Sequence, residues 1–195
     1  VYSLNRTTGK LERWTEAPLH GIDAKALVRP SLIKTPSFDG QMIPSYIYLP
    51  DKKKFPGPRP VAIWIHGGPE SQWRPGFLRH YNFLINDLGI ALVAPNVRGS
   101  RGYGRSYLLL DNGLARANAV TDIAAVLNEI YRHPRLDGSR VAVMGGSYGG
   151  FMAYTKVTKP EEFKNPPTGY HKLTRHGEFL ERPGTGKPLY YPEIQ

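Results

Sequence analysis

Three short apolar runs punctuate the middle of the chain: Val61-Ala62-Ile63-Trp64-Ile65, Ile90-Ala91-Leu92-Val93-Ala94, and Val141-Ala142-Val143-Met144 after Arg140. Runs of this length without alternation predict strands buried on both faces. Residues 77–88 and 117–133 lie between them with helical spacing. In the second segment Val120, Ile123, Leu127, Ile130 and Tyr131 fall on one helical face, and Pro134 ends it. Residues 151–157 can begin another helix. Upstream, residues 31–34 and 42–49 are strand-like, joined by a turn at Phe38-Asp39-Gly40. Residues 1–4 and 11–14 alternate on either side of the turn-forming stretch 5–10, which predicts a hairpin.

Strands alternating with helices predict an α/β fold, with a doubly wound, mostly parallel sheet that is incomplete and a short N-terminal β-hairpin. In such sheets ligands bind at the carboxyl ends of the strands. All three buried strands run into Gly- or Pro-rich loops at that edge. Four segments are expected: a β-structure remnant over residues 1–16, a connector over 17–30, the α/β domain over 31–158, and an irregular tail over 159–195.

Composition narrows the function classes. A chain of 195 residues suits one domain. It has no Cys, which excludes disulfide scaffolds and Cys-ligated metal centres. No apolar run approaches 18 residues, so a soluble protein of the cytoplasm or periplasm is expected. Val1 to Arg6 shows no leader pattern, and the chain reads as starting inside a longer β-structure. The formal charge is +10, which allows an acidic partner. The tract from Pro95 to Arg105 interleaves three Arg with Gly and Tyr, but it is a single copy between a strand and a turn. An ordered loop is expected there, its arginines paired internally or lining a substrate mouth. Neither nucleic acid nor a membrane is an expected partner. Gly184-Thr185-Gly186-Lys187 lacks the spacing of a phosphate loop, and the six His have no metal-ligand spacing.

The strongest chemical signal is Gly145-Gly146-Ser147-Tyr148-Gly149, a G-x-S-x-G sequence between a predicted strand and a predicted helix. In that context the turn is so sharp that the serine is strained and exposed at the top of the sheet. Small residues two before and two after let strand and helix approach. Ser147 is the candidate nucleophile, and the Tyr148 N–H is placed to meet a developing oxyanion. The second signal is His66-Gly67-Gly68-Pro69, directly after a buried strand. Gly67 or Gly68 would give the second oxyanion N–H, and His66 is expected to orient the loop rather than act as the base.

These motifs, with Gly9 to Glu16, Pro36-Ser37-Phe38-Asp39-Gly40, Pro95 to Ser100, Gly102-Tyr103-Gly104 and Leu110 to Gly113, resemble the prolyl oligopeptidase family of serine peptidases. The acylaminoacyl and dipeptidyl peptidase branch is the most similar. The resemblance implies an α/β-hydrolase fold, with residues 1–16 as the last strands of a β-propeller. It implies a peptide substrate, an acyl-enzyme on Ser147, and no metal or organic cofactor. It also implies a triad in the order Ser, Asp, His. No Asp follows Ser147. The later acids Glu161, Glu162, Glu178, Glu181 and Glu193, and the later His171 and His176, sit in no family-like motif. A truncated hydrolase whose Ser147 lacks an assigned base is therefore expected. An esterase on the same fold, or a catalytically silent basic binding fragment, are the alternatives.

Overall fold

The computed structural model describes residues 1–16 and 23–158. The hairpin is present as β1 (Tyr2–Leu4) and β2 (Leu11–Arg13), antiparallel and in a sheet of its own. The second sheet has five strands: β3 (Ser31–Pro36), β4 (Met42–Tyr48), β5 (Arg59–Ile65), β6 (Ala91–Pro95) and β7 (Leu136–Gly145). Their order is β3-β4-β6-β5-β7. β5 pairs in parallel with both β6 and β7, while β4 is antiparallel to β3 and β6. Four of the five strands thus run the same way and β4 alone opposes them. This is the mostly parallel sheet expected from the three apolar runs, and it is not closed into a barrel. The tail over 159–195 and part of the connector (17–22) lie outside the described residues.

Helices cover both faces. α3 (Arg116–Arg132) and α4 (Tyr148–Thr158) lie on one side, and α1 (Tyr81–Asn86) on the other. A fourth helix, α2 (Arg105–Leu108), is a single turn in the loop after β6. The strand alternation feeds two cores. Val61, Ile63 and Ile65 join Val93 and the α3 residues Val120, Ile123, Leu127 and Ile130. Ala62 and Leu92 face the other way, toward Leu78 and Ile85. Each fully buried Val, Leu or Ile contributes roughly 1.5–3 kcal/mol relative to exposure, so both helical layers are held by the same strands. Tyr131 lies off the α3 stripe, at 38% exposure.

Two expected elements are corrected. The helix expected over 77–88 is confined to Tyr81–Asn86. Arg79 has φ +50, a left-handed conformation that a helix cannot include. Asn82 then bonds back to the Arg79 carbonyl through both its backbone N–H and its side chain. The last strand begins at Leu136, not at Arg140, because Leu136 pairs with Arg59 across a register irregularity. Asp137 holds that stretch through the Ser139 N–H and the Arg140 side chain.

One polar cluster ties three distant segments together. Arg98, in the loop after β6, is 1% exposed. Its guanidinium bonds the Asp122 carboxylate on α3 through Nε (3.0 Å) and Nη2 (2.9 Å). It also forks onto Asp39 in the β3–β4 turn, at 2.8 and 2.9 Å. The Arg98 N–H and the Ser37 hydroxyl donate to Asp122 as well, and the Phe38 ring packs on the guanidinium at 4.8 Å. Of the two expected fates for the arginines of this tract, Arg98 takes the internal pairing, while Arg101 and Arg105 are exposed. Burial pushes the Asp122 carboxyl up, against the pull of Arg98 and Ser37. Hydrogen bonds from Arg98 hold the Asp39 carboxyl at about 2.

Asp122→Ala is expected to destabilise the protein by about 3–5 kcal/mol, since it leaves a buried guanidinium without its main partner; urea unfolding measures this. Asp39 is depressed in the folded state. Its stabilisation is therefore present above its unfolded value of about 4 and is lost as pH falls toward 2. Between pH 4 and pH 2 the wild type should lose more of its urea midpoint than Asp39→Asn.

Candidate active site

β5 and β7 end side by side, with Ile65 paired to Gly145. The chain therefore leaves both strands at the same point of the carboxyl edge. From β7 it makes the turn Gly145-Gly146-Ser147 and enters α4 at Tyr148. Ser147 has φ +55, an uncommon conformation for a residue with a Cβ, and its side chain is exposed. The glycines on either side make the turn possible. A Cβ on Gly145 would lie 2.6 Å from the Gly149 carbonyl carbon, and one on Gly149 would run into the Ile65 carbonyl oxygen. Strand, turn and helix thus approach more closely than side chains permit. Tyr148 opens the helix, so its N–H has no acceptor within α4.

From β5 the chain enters His66-Gly67-Gly68-Pro69. A Cβ on Gly67 would sit 3.3 Å from Ser147 Cβ and 3.2 Å from the Gly146 carbonyl oxygen. This loop therefore lies directly against the turn that carries Ser147. Gly68 has φ +128, and a Cβ there would meet the Glu70 N–H at 2.6 Å.

His66 is 7% exposed and turned into the protein. Its Nδ1 bonds the Gly67 carbonyl at 2.7 Å, and its Nε2 bonds the Ser100 hydroxyl at 2.9 Å. Burial lowers its pKa, which favours the neutral ring. A carbonyl can only accept, so Nδ1 carries the proton, and Nε2 accepts from Ser100. The Ser100 hydroxyl also lies 2.6 Å from the Val97 carbonyl, and its one proton serves one acceptor at a time. His66 thus orients its own loop.

Tyr148 has a second anchor. Its buried hydroxyl donates to Asp111 Oδ2 at 3.2 Å, and the Arg116 guanidinium lies 5.6 Å from its ring centre. Asp111 is fully buried, and among the described residues its Oδ1 has no hydrogen-bond partner. Burial pushes this carboxyl up, while Tyr148 and Arg116 pull it down. The Asp111 carboxylate packs on Gly99, where a Cβ would collide with it. Gly99 and Ser100 are neighbours, so one loop supports both sides of the site. It reaches Tyr148 through Asp111, and Gly67 through His66.

The four residues singled out in the sequence, Ser147, Tyr148, Gly67 and Gly68, are thus brought to one edge of the sheet. Among the described residues the Ser147 hydroxyl has no hydrogen-bond partner, and no cluster of three His, Asp or Glu could hold a metal ion. His171, His176 and the five later acids lie outside the described residues. Asp39, Asp111 and Asp122 were not singled out as functional in the sequence. Asp122 did leave a signal: it stands among Ala119, Val120, Ile123 and Val126, an acid inside the apolar stripe of α3. Asp111 stood only in a turn-like Asp-Asn-Gly, within the family-like stretch Leu110 to Gly113, with nothing to mark it as a buried acid.

Residues 76–166 match the prolyl oligopeptidase family. The uncharacterized peptidase YuxL of Bacillus subtilis is 32% identical over 136 residues, which is 69% of this chain and 20% of that protein. Dipeptidyl aminopeptidase BIII of Pseudoxanthomonas mexicana is 28% identical over 169 residues, 83% of this chain and 24% of its own length. Among solved structures, puromycin hydrolase superposes with a TM-score of 0.71 at 27% identity, covering 80% of this chain and 24% of that one. The chain spans about a fifth to a quarter of the length of these proteins. It contains a partial serine-peptidase-like domain of the prolyl oligopeptidase family, homologous to the acylaminoacyl and dipeptidyl peptidases.

Proposed function

We propose that this chain is the nucleophile-bearing part of a serine peptidase that hydrolyses oligopeptides through an acyl-enzyme on Ser147. The observation that carries this reading is the Ser147 turn: an exposed serine at φ +55, between a parallel strand and a helix, with the Gly67 loop against it. In this reading residues 31–158 are the hydrolase part, and the hairpin of residues 1–16 is what remains of a β-propeller-like structure.

The chemistry follows from the placement. Ser147 Oγ attacks the scissile carbonyl and loses its proton to a base. The carbonyl oxygen gains negative charge as the tetrahedral intermediate forms. The Tyr148 N–H, at the helix start, is one donor to that oxygen. The second comes from the Gly67–Gly68 peptide. His66 Nδ1 holds the Gly67 carbonyl, and in a planar trans peptide the Gly68 N–H points the opposite way. Fixing one end of that peptide therefore aims the other. Collapse of the intermediate expels the amine, which leaves with the proton the base took from Ser147, and water then releases the acyl group from Ser147. No step calls on a metal or organic cofactor.

Among the described residues no His or carboxylate is bonded to the Ser147 hydroxyl, and the strained turn and the backbone donors are the groups there that are placed to assist acylation. A fluorophosphonate at pH 8 is expected to label Ser147 slowly, and Ser147→Ala to abolish the labelling, as read by intact mass. A folded chain that takes up no label would overturn the peptidase reading. Ser100→Ala frees the His66 ring and with it the Gly67–Gly68 peptide. The labelling rate should fall by roughly 10- to 100-fold, less than the ~10²–10³-fold of losing a donor outright, with circular dichroism unchanged.

A further inference from the structure

The loop that follows Gly68 builds a second feature at the same edge of the sheet. An open groove of about 570 Å³ runs along residues 72–81, within the range of small-ligand sites. Trp73, Phe77 and Tyr81 supply apolar and aromatic wall, and Arg74 and Arg79 supply charge. The wall is preformed. Buried Asn96 clamps the Trp73 backbone from both sides, accepting from its N–H at 2.6 Å and donating to its carbonyl at 3.0 Å. Trp73 Nε1 donates to the Tyr48 hydroxyl, and Tyr81 packs between Trp73 and Trp64 at 6.0 and 5.1 Å. Phe77 stays 54% exposed.

Both arginines are exposed, and neither makes an ion pair among the described residues. Arg79 is held at φ +50. Strained conformations of this kind persist where surrounding structure imposes them, and they concentrate at ligand clamps. Two unpaired guanidiniums beside an aromatic wall suit a ligand with a carboxylate and an apolar side chain close together. The C-terminal residue of a peptide carries both on one Cα. An internal Glu or Asp carries the carboxylate without the apolar group.

Chain length limits how far the start of the groove can lie from Ser147. Gln72, the first groove residue, is five residues beyond Gly67, which touches the Ser147 turn. Five residues reach at most about 18 Å, a span that about five residues of an extended peptide also cover. We infer that this groove is a subsite for the C-terminal residue of oligopeptide substrates, with Arg74 and Arg79 holding its free carboxylate and Trp73, Phe77 and Tyr81 its apolar side chain. The inference rests on the peptidase reading of Ser147, and it places the leaving-group end of a short peptide in the groove.

Calorimetric titration of the full chain carrying Ser147→Ala tests binding without turnover. Acetyl-Ala-Ala-Ala-Phe as the free acid is expected to bind at least tenfold more tightly than its C-terminal amide. Acetyl-Ala-Ala-Glu-Ala-Phe-amide should bind like the amide. Adding Arg74→Ala and Arg79→Ala should erase the preference for the acid, whereas a general attraction to a chain of charge +10 would survive it. Equal binding of acid and amide, a preference that persists in the double variant, or tight binding of the internal Glu peptide each overturns the inference. Fluorophosphonate labelling of the unmodified chain reports separately on Ser147. Loss of the acid preference with labelling intact therefore sinks the groove alone, and failed labelling with the preference intact sinks its role as a substrate subsite.

Discussion

A guanidinium with 1% exposure is tolerable only when its charge and its donors are matched, because a buried cation without partners is among the most destabilising groups a fold can contain. Arg98 meets that demand with two carboxylates brought from far away in the chain, Asp39 in the β3–β4 turn and Asp122 on α3. The constraint works in both directions. The arginine pins the turn and the helix, and they in turn fix where the loop after β6 runs. That loop places Ser100 under His66 and Gly99 under Asp111. The two loops that flank Ser147 are therefore held by a common support whose position an ion cluster sets.

Strand register does the remaining positioning. Because β5 and β7 are parallel and pair up to Ile65 and Gly145, the segments leaving them are adjacent from their first residue. Glycine at 67, 145 and 149 allows these segments to come within the distance that side chains would forbid. Ser147 is left as the residue at the apex, in a strained conformation and exposed. Strain at such a position is stable only because the elements on either side are well packed: Val141 and Met152 sit in the main core.

The groove along residues 72–81 extends the same logic. Its start is clamped by Asn96, which lies two residues before Arg98 and is itself fully buried, with its carbonyl held by the Tyr107 hydroxyl. One rigid loop after β6 thus braces the candidate oxyanion donors on one side and the aromatic wall of the groove on the other. Rigid support of this kind lets a site built from loops keep its geometry.

Much of this was legible in the chain. Apolar runs, helical periodicity and turn residues are local signals, and they located every strand of the larger sheet and the long helix to within a few residues. The Ser147 motif was legible too, because its chemistry depends on steric limits that act over five residues. Less was legible where partners are distant. Arg98 and Asp39 are 59 residues apart, and Ser37 and Asp122 are 85 apart. No periodicity links such pairs, and a single acid inside an apolar helical stripe was the only trace. Likewise no breaker at Arg79 announces the left-handed conformation that shortens α1, where Leu78 is buried and Asn82 bonds back to the Arg79 carbonyl. By itself the sequence determined which segments become strands and helices and where a serine is forced into a tight turn, since backbone sterics and side-chain periodicity act between near neighbours. Only the tertiary structure decided which charges are buried together, which way His66 faces and which loops share a support. Those choices depend on desolvation and hydrogen-bond matching between groups that meet only once the sheet has formed.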